Sequence, residues 1–309
     1  MTALVSVIMP AKNAEDFIVT SILSILQQSY INLELIIIND LSTDNTVATI
    51  KTFDDKRIKI LNGFGTGISD AFNLGLSKAS GKYVCRCDAD DLFPLERIAT
   101  QVKWMEENRN YVSICGMYSS IDKAGNHLVQ FQRDSISQAL DEEFRSAITR
   151  THFGTFMVKA DVLKEINGCR SFFVTAEDID LQLRISEKGS VFFMAENFYN
   201  YRIHDHSITH NQSNSKREFY EKIAREYHLT RLNVGSDPLK DGEIPEIPND
   251  FTKPRSSNYQ IINHLVSESW YWHKKNNKKK AIITSIKAIK MAPFNLVVWR
   301  NLMIICLKI

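Results

Sequence analysis

No stretch of the 309-residue sequence reaches the ~18 uninterrupted apolar residues of a membrane-spanning helix. The nearest, FNLVVWRNLMIICLKI at 294 to 309, is interrupted by Arg300 and Asn301. The N-terminal MTALVSVIMP has neither a basic n-region nor a long apolar core, so it does not read as a secretory signal. Cysteine is scarce: five residues, an odd number without paired metal-type spacing, which argues against a disulfide framework and fits a reducing cytoplasm. Cys85 and Cys87 share one face of a strand and read as small apolar packing rather than metal ligands. Net charge is low as well, +2, and gives no global signature of nucleic-acid binding. Its local exception, the basic run from Lys274 to Lys280, reads first as a solvated helix junction and second as a patch for a membrane surface or an anionic ligand. What is present is the composition of a soluble globular protein, 44% hydrophobic and 24% charged, long enough for one large domain with an appendage or for two domains.

The first hundred residues alternate short apolar strands with helical patterns. VSVIMPA (5 to 11), LELIIIND (33 to 40), IKILN (58 to 62) and KYVCRCD (82 to 88) read as strands. Between them lie a helix with Ile18, Ile22 and Ile25 on one face and two more near 44 to 53 and 67 to 79. This is the pattern of a doubly wound parallel α/β sheet, which binds ligands beyond the carboxyl ends of its strands. Asn13, Asn39, Asp40 and the cluster around Asp88 all fall there. Beyond residue 110 the pattern turns mixed, with strands expected at 111 to 121, 127 to 132, 152 to 158 and 190 to 204, and helices near 135 to 149 and 176 to 188. Four of the seven prolines lie between 233 and 254, which marks a linker or long loop. The remainder reads as all helical, with a stripe of Ile282, Ile286 and Ile289 and a final helix after Pro293. Its spacing is weakly like one tetratricopeptide unit, and a helical hairpin packed on the main domain is the simpler reading, because one unit cannot stand alone. The expected organisation is therefore a domain over 1–212, a helix and Pro-rich linker over 213–258, and a helical hairpin region over 259–309.

CRCDADDL, residues 85 to 92, packs Asp88, Asp90 and Asp91 into four positions after a strand. Two such charges about 4 Å apart repel by roughly 4 kcal/mol at an effective dielectric near 20. The cluster therefore needs protonation, solvation or a cation. Asp88 and Asp90, two apart, point to one side of an extended chain, which suits a hard divalent cation that leaves sites for phosphate. An acidic loop with no ligand is the bland alternative, and Asp91 is as well suited to capping the helix that Pro94 opens. Glu177 and Asp178, after Thr175 as a candidate N-cap, have a structural reading of their own, since acidic residues in a first turn complement the helix dipole.

Taken in order, VSVIMPAKN, IIINDLSTDNT (36 to 46), ASGKYVCRCDADD (79 to 91), AEDIDLQLRI (176 to 185) and YRIHDHSIT (201 to 209) resemble the motifs of the family 2 glycosyltransferases of the GT-A fold. The resemblance spans about residues 4 to 210. It implies a GT-A domain, a Rossmann-like nucleotide-binding half plus a mixed-sheet acceptor half, with a C-terminal helical appendage. It also implies an enzyme that moves a sugar from a nucleotide donor, UDP-hexose in the first instance, to a glycan or lipid-linked glycan acceptor with inversion. The place of such an enzyme is cell-surface polysaccharide or lipopolysaccharide synthesis. The implied cofactor is a divalent metal, Mn²⁺ or Mg²⁺. Pro10, Asn13, Asp40 and Asp88 match nucleotide-facing positions; Asp90, with Asp88, matches the metal position. His204 matches a position approaching metal or diphosphate, and Arg202 supplies a charge suited to the diphosphate. Asp178 matches the general base, with Glu177 and His152 on the acceptor side, although His152 is equally suited to packing. His206 and His210 read as solvated loop residues. One departure stands out: the family's D-D-G-S-T-D is here Asn39-Asp40-Leu41-Ser42-Thr43-Asp44, and a turn without its Gly tolerates positive φ poorly.

Two other classes stay open on sequence. A sugar-phosphate nucleotidyltransferase shares the sheet and acidic ligands but carries a Gly-rich phosphate loop, which PAKNAED lacks. A non-catalytic nucleotide-sugar-binding assembly protein needs neither acidic pair. The C-terminal helices are expected to bury against the main domain, with peripheral contact to the inner membrane face as the alternative.

Overall fold

The computed structural model describes residues 2–204, 214–248 and 257–307, in two compact units. One comprises Met1–Tyr118, Gln132–Tyr201 and Lys216–Asn249; the other comprises Ser119–Phe131, Arg202–Ser215 and Asp250–Ile309. His206 and His210 lie outside the described residues.

In the first unit, β1 (Val5–Ala11), β2 (Leu33–Asn39), β3 (Ile58–Asn62) and β4 (Tyr83–Arg86) form a parallel half-sheet in the order β3-β2-β1-β4. β1, β2 and β4 are buried along their whole lengths, as strands covered on both faces must be. Pro10 lies beyond the last β1–β4 pair, Ile8↔Arg86, so its missing N–H breaks no bond to β4. The connecting helices are α1 (Ile18–Leu26), α2 (Thr46–Ile50), α3 (Ile68–Lys78) and α4 (Arg97–Glu107). Ile18, Ile22 and Ile25 are the buried stripe of α1. α3 lies so close to the sheet that a Cβ on Gly75 would stand 2.5 Å from Ile8 Cγ2 and 2.8 Å from Ile38 Cδ1.

The mixed half continues the sheet through β8 (Met157–Lys159), β5 (Ser113–Ile121), β9 (Val191–Arg202) and β7 (Gln138–Ala139). Two sequence expectations fail here. The strand expected over 152 to 158 begins only at Met157, because Phe153–Thr155 is a 3₁₀ turn held by the Gly154 N–H donating to His152 Nδ1 at 3.0 Å. The helix expected over 135 to 149 shrinks to α5 (Asp141–Arg145), since Gln138 and Ala139 pair with β9 and Ala147 takes φ +57°. α6 (Ala160–Glu165) and α7 (Glu177–Ser186) follow. α8 (Asn214–Val234), the helix expected within 213–258, belongs to this unit from Lys216 onward: Tyr220 and Ala224 are buried in its core.

The second unit contains β6 (His127–Gln130), paired with the end of β5, and three helices rather than a hairpin: α9 (Ser257–Lys274), α10 (Lys278–Met291) and α11 (Leu296–Leu307). Asn277 caps α10 by accepting from the Lys280 N–H at 3.1 Å. The three helices are tied by Asn301, whose Nδ2 donates to Ser269 Oγ (3.0 Å) and Ser285 Oγ (3.1 Å). α10 buries Ala281, Thr284, Ser285, Ala288 and Ile289, so Ile286 of the expected stripe is exposed instead.

Candidate active site

The chain leaves β1 and β2 in two loops that are laced together. Asn13, at φ +49°, donates its N–H to Ser42 Oγ (3.1 Å) and accepts from the Thr43 N–H on Oδ1 (2.8 Å). Leu41, where the family motif has Gly, does take a positive φ, +59°. A left-handed non-Gly residue costs about 1–2 kcal/mol, which the lacing must offset. Asp40 does not cap the helix after it: Asp44 Oδ1 accepts the Thr46 N–H (3.0 Å) at the start of α2. The Asp40 carboxylate instead accepts from the Gly65 N–H (2.7 Å) and the Gly67 N–H (3.2 Å), closing the loop after β3 over the end of β2.

At the end of β4 stands a buried arginine that joins two distant motifs. Arg86 Nε and Nη2 donate to Asp88 Oδ1 and Oδ2 (2.7 and 3.1 Å), and Nη1 donates to Glu177 Oε1 at 3.0 Å. Burial disfavours the guanidinium charge, but Asp88 and Glu177 reverse that and hold its pKa well above the ordinary value. For Glu177 burial wins: its carboxyl is pushed above the usual range, Arg86 opposing only in part and the neighbouring Asp178 adding repulsion. The Asp88 N–H donates to Tyr199 Oη (3.1 Å), anchoring the acidic turn to β9. Two capping expectations are corrected here. α7 starts after Ala176 in a left-handed conformation, φ +57°, with no side-chain cap from Thr175. α4 starts at Arg97 behind Glu96, so the buried Asp91 is too early in the chain to cap it.

Asp178 is buried and its Oδ1 has no hydrogen-bond partner among the described residues. Arg217 of α8 approaches that oxygen at 3.6 Å while its Nε donates to Glu221 at 2.7 Å. Burial pushes the Asp178 carboxyl up, but Arg217, His152 and Arg86 together outweigh it and hold the group below the usual range. His152 accepts on Nδ1, so its neutral ring carries hydrogen on Nε2; burial lowers its pKa against the pull of Asp178 and Asp88. The ring stacks on Tyr199 (centroids 5.3 Å) with Tyr201 at 5.6 Å and Tyr118 at 5.9 Å. Burial pushes the Tyr118 hydroxyl up to about 12. Behind this face, Asp180 accepts from Arg170 and from Arg184 Nε (2.9 Å), and Arg170 continues to Asp237 (2.7 Å), which pins the first turn of α7.

The structure thus brings together Asp88, Glu177, Asp178 and His152 around Arg86 and Arg217. Three carboxylates share two guanidiniums and a buried imidazole, and Asp90 follows Asp88 by two residues. Among the described residues no group of three or more His, Cys, Asp or Glu is arranged to hold a metal ion. The donor chemistry still fits a hard cation that takes one or two carboxylates and completes its shell with water and phosphate oxygens. Asp88 gives both of its oxygens to Arg86. Arg202 and His204 belong to the second unit. There Arg202 Nη1 donates to the carbonyls of Asp122 (3.3 Å) and Lys123 (2.8 Å), and His204 is buried.

Residues 6–168 match the profile of the family described as Glycosyl transferase family 2. A relative in Haemophilus influenzae, an uncharacterized glycosyltransferase, is 32% identical over 259 residues, covering 79% of this chain and 80% of that protein. The chain belongs to glycosyl transferase family 2. This glycosyltransferase is also similar to WfgD of Escherichia coli, named UDP-Glc:alpha-D-GlcNAc-diphosphoundecaprenol beta-1,3-glucosyltransferase, at 38% identity over 127 residues, 41% of this chain and 49% of that one. Residues 1–349 of S. aureus TarS, solved in complex with UDP-GlcNAc, superpose with a TM-score of 0.61 at 15% identity over 97% of this chain and 84% of that chain, which carries the GT-A fold.

Proposed function

We propose that this family 2 glycosyltransferase moves a hexose from a UDP-sugar to a hydroxyl of a glycan or lipid-linked glycan, with inversion at the anomeric carbon. The observation that carries the reading is the Asp88–Arg86–Glu177 bridge, which sets the acidic turn after β4 against the first turn of α7 and leaves Asp178 beside it with an unsatisfied oxygen. A buried carboxylate held below the usual range, with one oxygen that has no donor among the described residues, suits the task of accepting a proton from an attacking hydroxyl. Family membership sets aside the nucleotidyltransferase reading. The UDP-sugars in the names of WfgD and of the TarS complex support the choice of donor.

In this reading Asp178 takes the acceptor proton, the ring face formed by His152 and its tyrosines receives the acceptor, and Glu177 holds Arg86 in place. Asp40, Asn13 and Pro10 line the nucleotide end; each Asp40 oxygen has a second lone pair for a base N–H beyond the bonds from Gly65 and Gly67. A Mn²⁺ or Mg²⁺ ion, when bound, neutralises charge on the departing diphosphate, and Asp90 with Asp88 is the pair assigned to it. The roles that the motif positions imply for Arg202 at the diphosphate and His204 at the metal belong to the same proposal. The test is a donor screen with Mn²⁺ that measures nucleoside diphosphate release from UDP-, GDP- and dTDP-sugars. Turnover of UDP-hexoses is expected. Binding of nucleotide sugars with no release under any donor and acceptor would favour the non-catalytic assembly protein instead.

A further inference from the structure

α11 is buried along Val298, Asn301 and Ile305, one face of the helix at spacings of three and four residues. Its opposite face is not polar. Leu296 (81% exposed), Trp299 (48%), Met303 (59%) and Leu307 (73%) continue a second apolar stripe at the same helical spacing, and Phe294 just before it is 97% exposed. Burial against protein, the arrangement expected from sequence, therefore accounts for only half of this helix.

The charge of the surrounding segment is equally one-sided. From Lys274 to the last residue the sequence holds Lys274, Lys275, Lys278, Lys279, Lys280, Lys287, Lys290, Arg300 and Lys308, and no Asp or Glu. The whole chain carries only +2, so residues 1–273 are net negative and the positive charge is concentrated here. Lys279, Lys280, Lys287, Lys290 and Arg300 are exposed. An exposed apolar stripe in a segment that carries exposed lysines and no acidic residue is complementary to a surface that is apolar just beneath an anionic layer. Nucleic acid matches the charge but not Leu296, Met303 and Leu307. An apolar protein partner matches the stripe but not the lysines. No described helix is long and apolar enough to cross a membrane, so the contact is with the interface.

We infer that the α10–α11 face docks on the surface of an anionic phospholipid bilayer, with the stripe of Leu296, Trp299, Met303 and Leu307 in the headgroup–acyl boundary and the lysines among the phosphates. This holds whichever sugar and acceptor the active site takes.

Flotation of the full-length chain with vesicles tests it. Binding to phosphatidylglycerol-containing vesicles is expected, with little to pure phosphatidylcholine, and it should fall as salt is raised. Trp299→Glu with Met303→Glu, both at exposed positions, should abolish flotation with the thermal midpoint unchanged. Lys279→Gln, Lys287→Gln and Lys290→Gln together should lower partitioning about a hundredfold, since each basic residue near an anionic surface contributes roughly fivefold. Cys306 is exposed while the other four cysteines are buried. An environment-sensitive fluorophore on it should therefore shift to the blue on anionic vesicles. Three results overturn the inference: no flotation of the parent chain, flotation that survives the Trp299 and Met303 changes, or a face occupied by self-association or nucleic acid, with vesicles failing to compete.

Discussion

Replacing Arg217 by Gln gives the sharpest test of how Asp178 is kept ionised. The two charges are 3.6 Å apart and the carboxylate is buried. At an effective dielectric near 20 their attraction is roughly 4 kcal/mol before screening. Arg217 is, however, 34% exposed at its side chain and shares its charge with Glu221, so solvent screening leaves only a fraction of that attraction. The sign follows from the direction of the shift. Asp178 is held below its ordinary value, and losing the guanidinium raises it. The acid limb of kcat/KM should therefore move to higher pH in Arg217→Gln, with activity on the alkaline plateau within a few-fold of the parent. Arg217→Lys, which keeps the charge, should restore most of the original limb. The assay is UDP release against pH, with the thermal midpoint measured in parallel. A limb that stays in place in a folded variant would refute the electrostatic role. Equal loss at every pH would mean instead that Arg217 contacts substrate.

The other expectations rest on separate contacts. Asp178→Asn keeps size but removes basicity, so kcat should fall at least a hundredfold with UDP–Mn²⁺ affinity unchanged, whereas a purely helix-stabilising Asp178 predicts lost thermal stability and retained kcat. Asp90→Asn should weaken UDP binding in the presence of Mn²⁺ about tenfold or more by isothermal titration, and unchanged affinity would remove Asp90 from the cation site. Gly75→Ala drives a Cβ into Ile8 and Ile38 and should cost about 1–3 kcal/mol in urea denaturation; an unmoved midpoint would show that α3 yields freely.

The parallel half of the fold was legible because three of its four strands are mostly apolar runs buried on both faces, and a pattern of that kind admits few alternatives. The mixed half was less so. His152 and Ala147 end their elements through a side-chain hydrogen bond and a left-handed residue, neither of which shows in hydrophobic periodicity. Asp40 was placed correctly at the end of β2, but its partners Gly65 and Gly67 come from the loop after β3, and no spacing rule links the two. Arg86 did leave a signal, a lone charge within a buried strand between Cys85 and Cys87, which demands a buried counter-charge. Arg217 left none: on α8 it is one basic residue in a helix rich in them, and only the tertiary fold brings it to Asp178. The end of the chain holds three helices rather than a hairpin, and of the expected stripe on α10 only Ile289 is buried, beside Ala281, Thr284, Ser285 and Ala288.

Glu177 and Asp178 are adjacent in sequence and both buried, yet their surroundings push them in opposite directions. The difference lies in how each meets its arginine. Glu177 accepts a hydrogen bond from Arg86, but that guanidinium also serves both oxygens of Asp88, so one positive charge is divided between two carboxylates and burial prevails at Glu177. Asp178 has Arg217 at a distance that supplies field without a hydrogen bond, so it is charged while one oxygen remains open. Neighbouring carboxyls whose environments separate their affinities for a proton divide the work between them. Glu177 is suited to fixing geometry: deleting it would leave Arg86 with a single partner, and breaking a buried pair costs about 3–5 kcal/mol. Asp178 is suited to chemistry, because an ionised oxygen with no donor among the described residues gains most from the hydroxyl of an incoming acceptor.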